Sequence, residues 1–190
     1  MSAVSGPPLR DALARVSAAL ERDGARFAFI GGIAVVAWGS PRTTVDIDVL
    51  VAQTGLDPER AVRALASEQF ELRGSIHADQ MLAGFSVLRI YAGASPVPVD
   101  VLVSTNPIVE DIMTRRRSRT LMDLEIPVPS AEDLIVIKLQ AGRRQDVADA
   151  DAVLRAQAGT VDLARLRDLA VTFAVSEALD SLLAGLSRPE

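Results

Sequence analysis

The chain has no cysteine and a single histidine, His77. The first absence excludes disulfides, thiolate metal sites and thiol catalysis together. The second leaves nothing from which to build a histidine-rich zinc site. Long apolar runs are missing too: no stretch approaches the ~18 residues that a membrane span requires, so no membrane partner is expected. Residues 1–8 hold neither a basic nor an apolar segment, so no secretory signal is read there and a cytoplasmic location is expected. What remains is the composition of a folded soluble protein, 49% hydrophobic and 24% charged over 190 residues. That length suffices for one core, or one core with a small helical appendage.

The formal net charge of −5 works against broad, nonspecific nucleic-acid binding, which depends on neutralising phosphates. Basic residues are nonetheless clustered, with Arg115, Arg116, Arg117 and Arg119 in one place and Arg143 with Arg144 in another. One reading of such a run is a solvated helix end favoured by the dipole. The other is a contact for an RNA backbone or for nucleotide phosphates.

Apolar spacing and chain punctuation divide the sequence into an alternating half and a helical half. Leu9, Leu13, Val16 and Leu20 recur at helical spacing after Pro7-Pro8 and predict a helix over 9–22, ended by Asp23-Gly24. A strand at 26–30, a short helix at 32–38 closed by Gly39-Ser40-Pro41 and a strand at 44–52 follow. Asp57 and Pro58 open a helix to 68. Strands are read at 70–73, 85–91 and 97–103, with a loop over 74–84 and a turn at 93–96. A helix over 106–117 and an extended segment at 119–128 complete this half. Helices are expected at 130–142, 144–157, 162–173 and 175–186. The expectation is an α+β fold. Residues 1–128 form a mixed β-sheet packed by helices, and residues 129–190 form a helical region packed on that core as one unit.

The most informative segment is Phe29-Ile30-Gly31-Gly32, followed after thirteen residues by Asp46-Ile47-Asp48. An apolar strand runs into a glycine turn and a helix, and the next strand presents two carboxylates at i and i+2. Successive side chains on a strand alternate between faces, so Asp46 and Asp48 share one side while Val45, Ile47, Val49 and Val51 form an apolar row on the other. A third carboxylate, Asp100, alternates with Val97, Val99, Val101 and Val103 in a later strand. Like charges on one face repel, and a hard divalent cation relieves that repulsion. The glycines let a polyphosphate approach the backbone at a helix start. Together these are parts for metal-assisted nucleotidyl or phosphoryl transfer.

The combination resembles the polymerase beta-like nucleotidyltransferase superfamily, whose pattern is hG[GS], a spacer, D-h-[DE]-h and a later carboxylate. Within it the chain looks most like the minimal nucleotidyltransferases and the AbiEii/MenT-like toxins. The likeness rests on Arg42-Thr43-Thr44-Val45-Asp46-Ile47-Asp48, on the helix from Pro129 to Leu139 with Lys138, and on Arg143, Arg144, Asp146 and Asp149 after it. It covers about residues 26–155. It departs at Gln145, where lysine is common, and at Gly32, where many toxins have serine. The resemblance implies transfer of a nucleoside monophosphate from an NTP to an acceptor hydroxyl on tRNA or protein, with Mg²⁺ or Mn²⁺ as cofactor and a cognate antitoxin as partner. The alternatives are a small-molecule, antibiotic-type nucleotidyltransferase and a noncatalytic module that binds nucleotide or a partner.

The candidate metal ligands are Asp46, Asp48 and Asp100, with Lys138 as a fourth catalytic candidate. The candidate nucleotide contacts are Gly31, Gly32, Arg42, Thr43, Lys138 and Asp146. Lys138 shares the largely apolar face of Leu134 and Ala141. It is read either as a stem over the core whose ammonium reaches water or as a desolvated cation aimed at phosphates. Ser130 and Asp133 read as a capping box. Asp146 and Asp149, at i and i+3, are expected to pair with Arg143 or Arg144, or to orient an arginine or the acceptor group. Trp38 is expected in the core and His77 in a loop.

Overall fold

The computed structural model describes residues 7–52, 65, 70–76, 85–92, 97–104 and 106–186. The helix expected over 57–68 (Leu65 aside), most of the 74–84 loop with His77, and the 93–96 turn lie outside the described residues. Helix α1 (Pro7–Arg22) buries Leu9, Ala12, Leu13, Val16, Ala19 and Leu20, the i, i+3, i+4 stripe that an amphipathic helix turns to a core. Gly24, at φ +70°, ends it, and the Ala25 amide donates back to the Leu20 carbonyl at 2.9 Å. Strand β1 (Arg26–Ile30) follows directly, with Phe27 and Phe29 packed edge to face.

Helix α2 (Gly31–Ala37) returns the chain to β2 (Ile47–Ala52), which pairs antiparallel with β1. Strands β3 (Phe70–Ile76), β4 (Phe85–Ala92) and β5 (Pro98–Ser104) complete a five-stranded sheet of order β1-β2-β5-β4-β3. Among neighbouring strands of this sheet only β2 and β5 pair in parallel. Their register sets Asp48 directly opposite Asp100, and the β1–β2 register sets Ile30 opposite Asp48. The expected rows hold in the core: Ile47, Val49 and Val51 of β2 and Val99, Val101 and Val103 of β5 are buried.

Two boundaries move for physical reasons. The strand expected from residue 44 begins at Ile47. The Thr44 hydroxyl donates to both the carbonyl and the carboxylate of Asp46, at 3.2 Å each, and turns the chain there. Val45 therefore leaves the apolar row and stands 48% exposed. The strand expected at 70–73 continues to Ile76 through an irregularity between Leu72 and Ser75.

Helix α3 (Pro107–Arg115) is capped by Asn106, whose side chain accepts from the Ile108 amide. It stops two residues short of the expected end, because β6 (Arg117–Leu121) starts at once and pairs with β7 (Leu124–Val128). The expected extended segment is thus a hairpin. Its two-residue turn, Met122-Asp123, has positive φ at both positions, the backbone of the turn whose twist matches the flanking strands. Strand β7 lies against β1. Helices α4 (Ala131–Ala141), α5 (Arg144–Ala156), α6 (Leu163–Thr172) and α7 (Ser176–Leu186) form the helical half. One buried apolar cluster takes in Leu13, Phe29, Val49, Val101, Ile126 and Ile135, from both halves. Trp38 belongs to it: its ring nitrogen donates to the Pro129 carbonyl, and the Arg119 guanidinium lies 3.8 Å over the ring centre.

Candidate active site

Helix α4 buries Leu134, Ile135, Val136 and Leu139 around most of its circumference. Its two buried charges must therefore find partners inside the protein. Asp133, fully buried, accepts from the Ser130 hydroxyl and from two nitrogens of Arg115. The capping box is there too, since Ser130 accepts from the Asp133 amide. One member of the basic cluster thus serves as a structural counter-charge. Lys138 is 6% exposed, so its ammonium does not reach water as one reading had it. It donates to Asp146 at 2.9 Å and to Asp149 at 2.8 Å.

Left-handed Gly142 ends α4, and the chain re-enters α5 with Asp146 and Asp149 turned toward Lys138. Arg143 donates twice to Asp146. Burial raises the Asp146 carboxyl, but the hydrogen bonds and charges of Arg143 and Lys138 outweigh it and hold the group below its ordinary value. Arg42, from the 38–46 connection, donates to Asp149 at 3.0 Å, and Gln145 donates to the other Asp149 oxygen at 3.0 Å. The expected pairing of Asp146 with Arg143 is present. Asp149 pairs instead with Lys138 and Arg42.

Across a cleft of about 420 Å³ from this network stand Asp46, Asp48 and Asp100. The space between is of ligand-pocket size. Gly31 has φ +61°, and a Cβ there would lie 1.9 Å from an Asp48 carboxylate oxygen. The glycine makes room for Asp48 itself as well as for any ligand. A Cβ on Gly32 would meet the Thr44 hydroxyl at 2.6 Å and the Arg42 guanidinium at 3.0 Å. Burial pushes the Asp48 carboxyl up to about 6, and the neighbouring charges of Asp46 and Asp100 add to the rise against Lys138 and Arg143.

The cleft wall includes Gly31, Gly32, Arg42, Asp46, Asp48, Asp100, Lys138 and Asp146 from the sequence reading. Thr43 is the exception. It lines a separate depression of about 460 Å³ with Leu9, Ile33, Val36 and Met122, and Arg42 borders both spaces. Arg143 and Gln145 also line the cleft, though the site reading omitted them; the family likeness had carried Arg143 and had marked Gln145 as a position where lysine is common. Among the described residues no group of three His, Cys, Asp or Glu side chains is arranged, as it stands, to hold a metal ion. In charge and donor type a hard cation would suit the three carboxylates on this wall, one of which, Asp48, is pushed toward protonation by burial and then by Asp46 and Asp100.

A family model described as nucleotidyl transferase AbiEii toxin, type IV toxin–antitoxin system, matches residues 11–187. The chain belongs to the AbiEii nucleotidyltransferase family. Among solved structures it resembles ANT(2")-Ia in complex with adenylyl-2"-tobramycin, with TM-score 0.62 and 10% identity over 88% of this chain and 98% of that one. A putative nucleotidyltransferase from Thermotoga maritima gives TM-score 0.54 at 14% identity, over 78% of this chain and 94% of its own. The lincosamide antibiotic adenylyltransferase LnuA, lincomycin-bound, gives 0.52 at 14%, over 80% and 98%. At such identities these likenesses bear on the fold, which is the expected α+β nucleotidyltransferase fold. No curated protein matches the sequence. Like other AbiEii-family chains, this one is a nucleotidyltransferase. Among the described residues no helix is long and apolar enough to cross a membrane.

Proposed function

We propose that the chain moves a nucleoside monophosphate from an NTP to a hydroxyl on tRNA or protein, in a reaction that requires Mg²⁺ or Mn²⁺. The observation that carries this is the opposition of three carboxylates and three cations across one cleft. Asp46, Asp48 and Asp100 would hold the divalent ion, which supplies charge neutralisation at the phosphates and a lowered pKa for the attacking hydroxyl. Arg42, Lys138 and Arg143 bind the phosphate oxygens, with Asp146 setting the direction of Lys138 and Arg143. Gly31 and Gly32 keep the floor of the cleft free of side chains. The acceptor oxygen attacks the α-phosphorus, the bond to the β-bridging oxygen breaks, and pyrophosphate leaves. Thr43, in the neighbouring depression, is left out of the phosphate contacts.

The family description favours a toxin role with a cognate antitoxin as partner; a toxin of that kind would act in the cytoplasm. The test is incubation with each labelled NTP, total cellular RNA, protein and small metabolites, with and without EDTA. Label in RNA or protein, abolished by EDTA, is expected. Label in small metabolites alone overturns the macromolecular acceptor in favour of an antibiotic-type one. Nucleotide binding with no transfer to any class indicates a noncatalytic module, and transfer that survives EDTA removes the metal.

A further inference from the structure

Asp149 is absent from the cleft wall and only 3% exposed, yet two of the cations that line the cleft end on it. The Arg42 guanidinium and the Lys138 ammonium reach the same carboxylate oxygen, at 3.0 and 2.8 Å. They come from different parts of the fold: Arg42 from the connection before β2, Lys138 from α4. Sharing one oxygen brings the two cations within ~6 Å of each other, where they repel unless an anion stands between them. The second Asp149 oxygen accepts from Gln145, which fixes the rotation of the carboxylate. Asp149 thereby accepts three hydrogen bonds, two on one oxygen and one on the other, and it does not line the cleft.

We propose that Asp149 is the positioning residue of the phosphate-binding wall: it clamps Arg42 and Lys138 together so that both present to one polyphosphate. The proposal rests on the nucleotidyltransferase reading above for the identity of the ligand, but the clamp is a property of the unliganded protein. Its role differs from that of Asp146, which lines the cleft and holds Lys138 and Arg143. Among the described residues Asp149 is the carboxylate that pairs with Arg42, so loss of that anion leaves the guanidinium to swing from a loop. Lys138 would keep Asp146.

The full chain with Asp149→Asn tests this in two arms. Binding of each Mg²⁺–NTP by calorimetry should weaken on the order of tenfold, the scale of one charge-assisted hydrogen bond misplaced. Arg42→Ala should weaken it comparably, and the double variant should lose far less than the product of the two, since both changes release the same guanidinium. Independent losses that multiply, or an unchanged affinity at a lowered melting temperature, overturn the proposal and leave Asp149 a purely structural residue. The second arm needs no nucleotide. Side-chain nitrogen NMR signals of Arg42 and Lys138 should both move in Asp149→Asn; movement of Lys138 alone overturns the clamp. If wild type binds no NTP, the functional reading fails while this arm still decides the clamp. Should Asp149→Asn not fold, Gln145→Ala, at an exposed position, releases the second oxygen and should move the same two signals by less. No movement of either signal there overturns the proposal.

Discussion

The two walls of the cleft handle charge in opposite ways. On the sheet wall three carboxylates face one space, and one of them, Asp48, is pushed to about 6 by burial and its neighbours. On the helical wall every charge has its opposite at hydrogen-bond distance: Lys138 with Asp146 and Asp149, Arg143 with Asp146, Arg42 with Asp149. The first wall gathers like charges around one cleft; the second sets opposite charges against each other. Function and stability should therefore separate. Changes on the sheet wall should cost activity and spare the fold, and changes on the helical wall should cost both.

Asp48→Asn should show the separation most sharply. Transfer should fall by roughly 10²–10³-fold or more, the scale of losing one preorganised electrostatic group, while the melting temperature of the metal-free protein holds or rises. A melting temperature that drops with activity would mean that Asp48 is a structural charge and that the walls do not differ.

Lys138→Ala reverses the pattern. It leaves Asp146 and Asp149 buried with one cation fewer, and removing one partner of a buried pair costs about 3 kcal/mol. Arg143 and Arg42 remain beside the two aspartates, which keeps the loss at the low end. Denaturant unfolding measures it; a loss under about 1 kcal/mol would make the helical wall no more than a solvated pair.

The pH dependence of stability follows from the sheet wall. Asp48 has its pKa raised on folding, from an ordinary 3.8 to about 6, so the native state binds the proton more tightly than the unfolded chain. Stability is then fullest below pH 3.8 and declines as pH rises through the window to about 6, by on the order of 2–3 kcal/mol from this group. Urea unfolding in EDTA at pH 5 and 7, wild type against Asp48→Asn, isolates the contribution. The wild type should gain more than the variant on acidification. Adding Mg²⁺ at pH 7 should recover part of the difference, because a ligand bound only by the native state stabilises it.

The sheet wall was more legible in the sequence than the helical one, for a reason of distance along the chain. The glycines and the strand alternation around Asp46, Asp48 and Asp100 are local patterns, and the pairing of β2 with β5 carries them into one place. The exception is residues 44–46, where alternation through Val45 suggested strand but the Thr44 hydroxyl turned the chain. The helical wall is built from partners such as Arg42 and Asp149, 107 residues apart. No periodicity encodes that pair. Lys138 shows the same limit: its apolar face was readable, but the two aspartates that keep its ammonium inside belong to the next helix. Thr43 was drawn in by its neighbours Arg42 and Asp46, although one residue along an irregular segment suffices to face another depression.

The basic cluster at 115–119 repeats the contrast on a smaller scale and gives the smallest predicted effect. Arg115 is committed to buried Asp133, which holds its guanidinium charge firmly and raises its pKa. Arg119 lies over Trp38. Arg116 and Arg117 are exposed, so a tRNA acceptor could draw phosphate contacts from these two alone within the cluster. Arg116→Ser with Arg117→Ser should then lower the slope of log affinity against log salt by roughly one to two units in RNA binding. Melting temperature and transfer to any small acceptor should hold. Arg115→Ser should do the reverse, lowering stability through an uncompensated Asp133 while leaving the salt slope nearly unchanged. Equal salt slopes for wild type and the double variant would remove this face from RNA recognition and weigh toward a protein acceptor. A slope change from Arg115→Ser at full stability would show that the Asp133 pair opens to solvent, and that buried and exposed arginines in this cluster are not distinct.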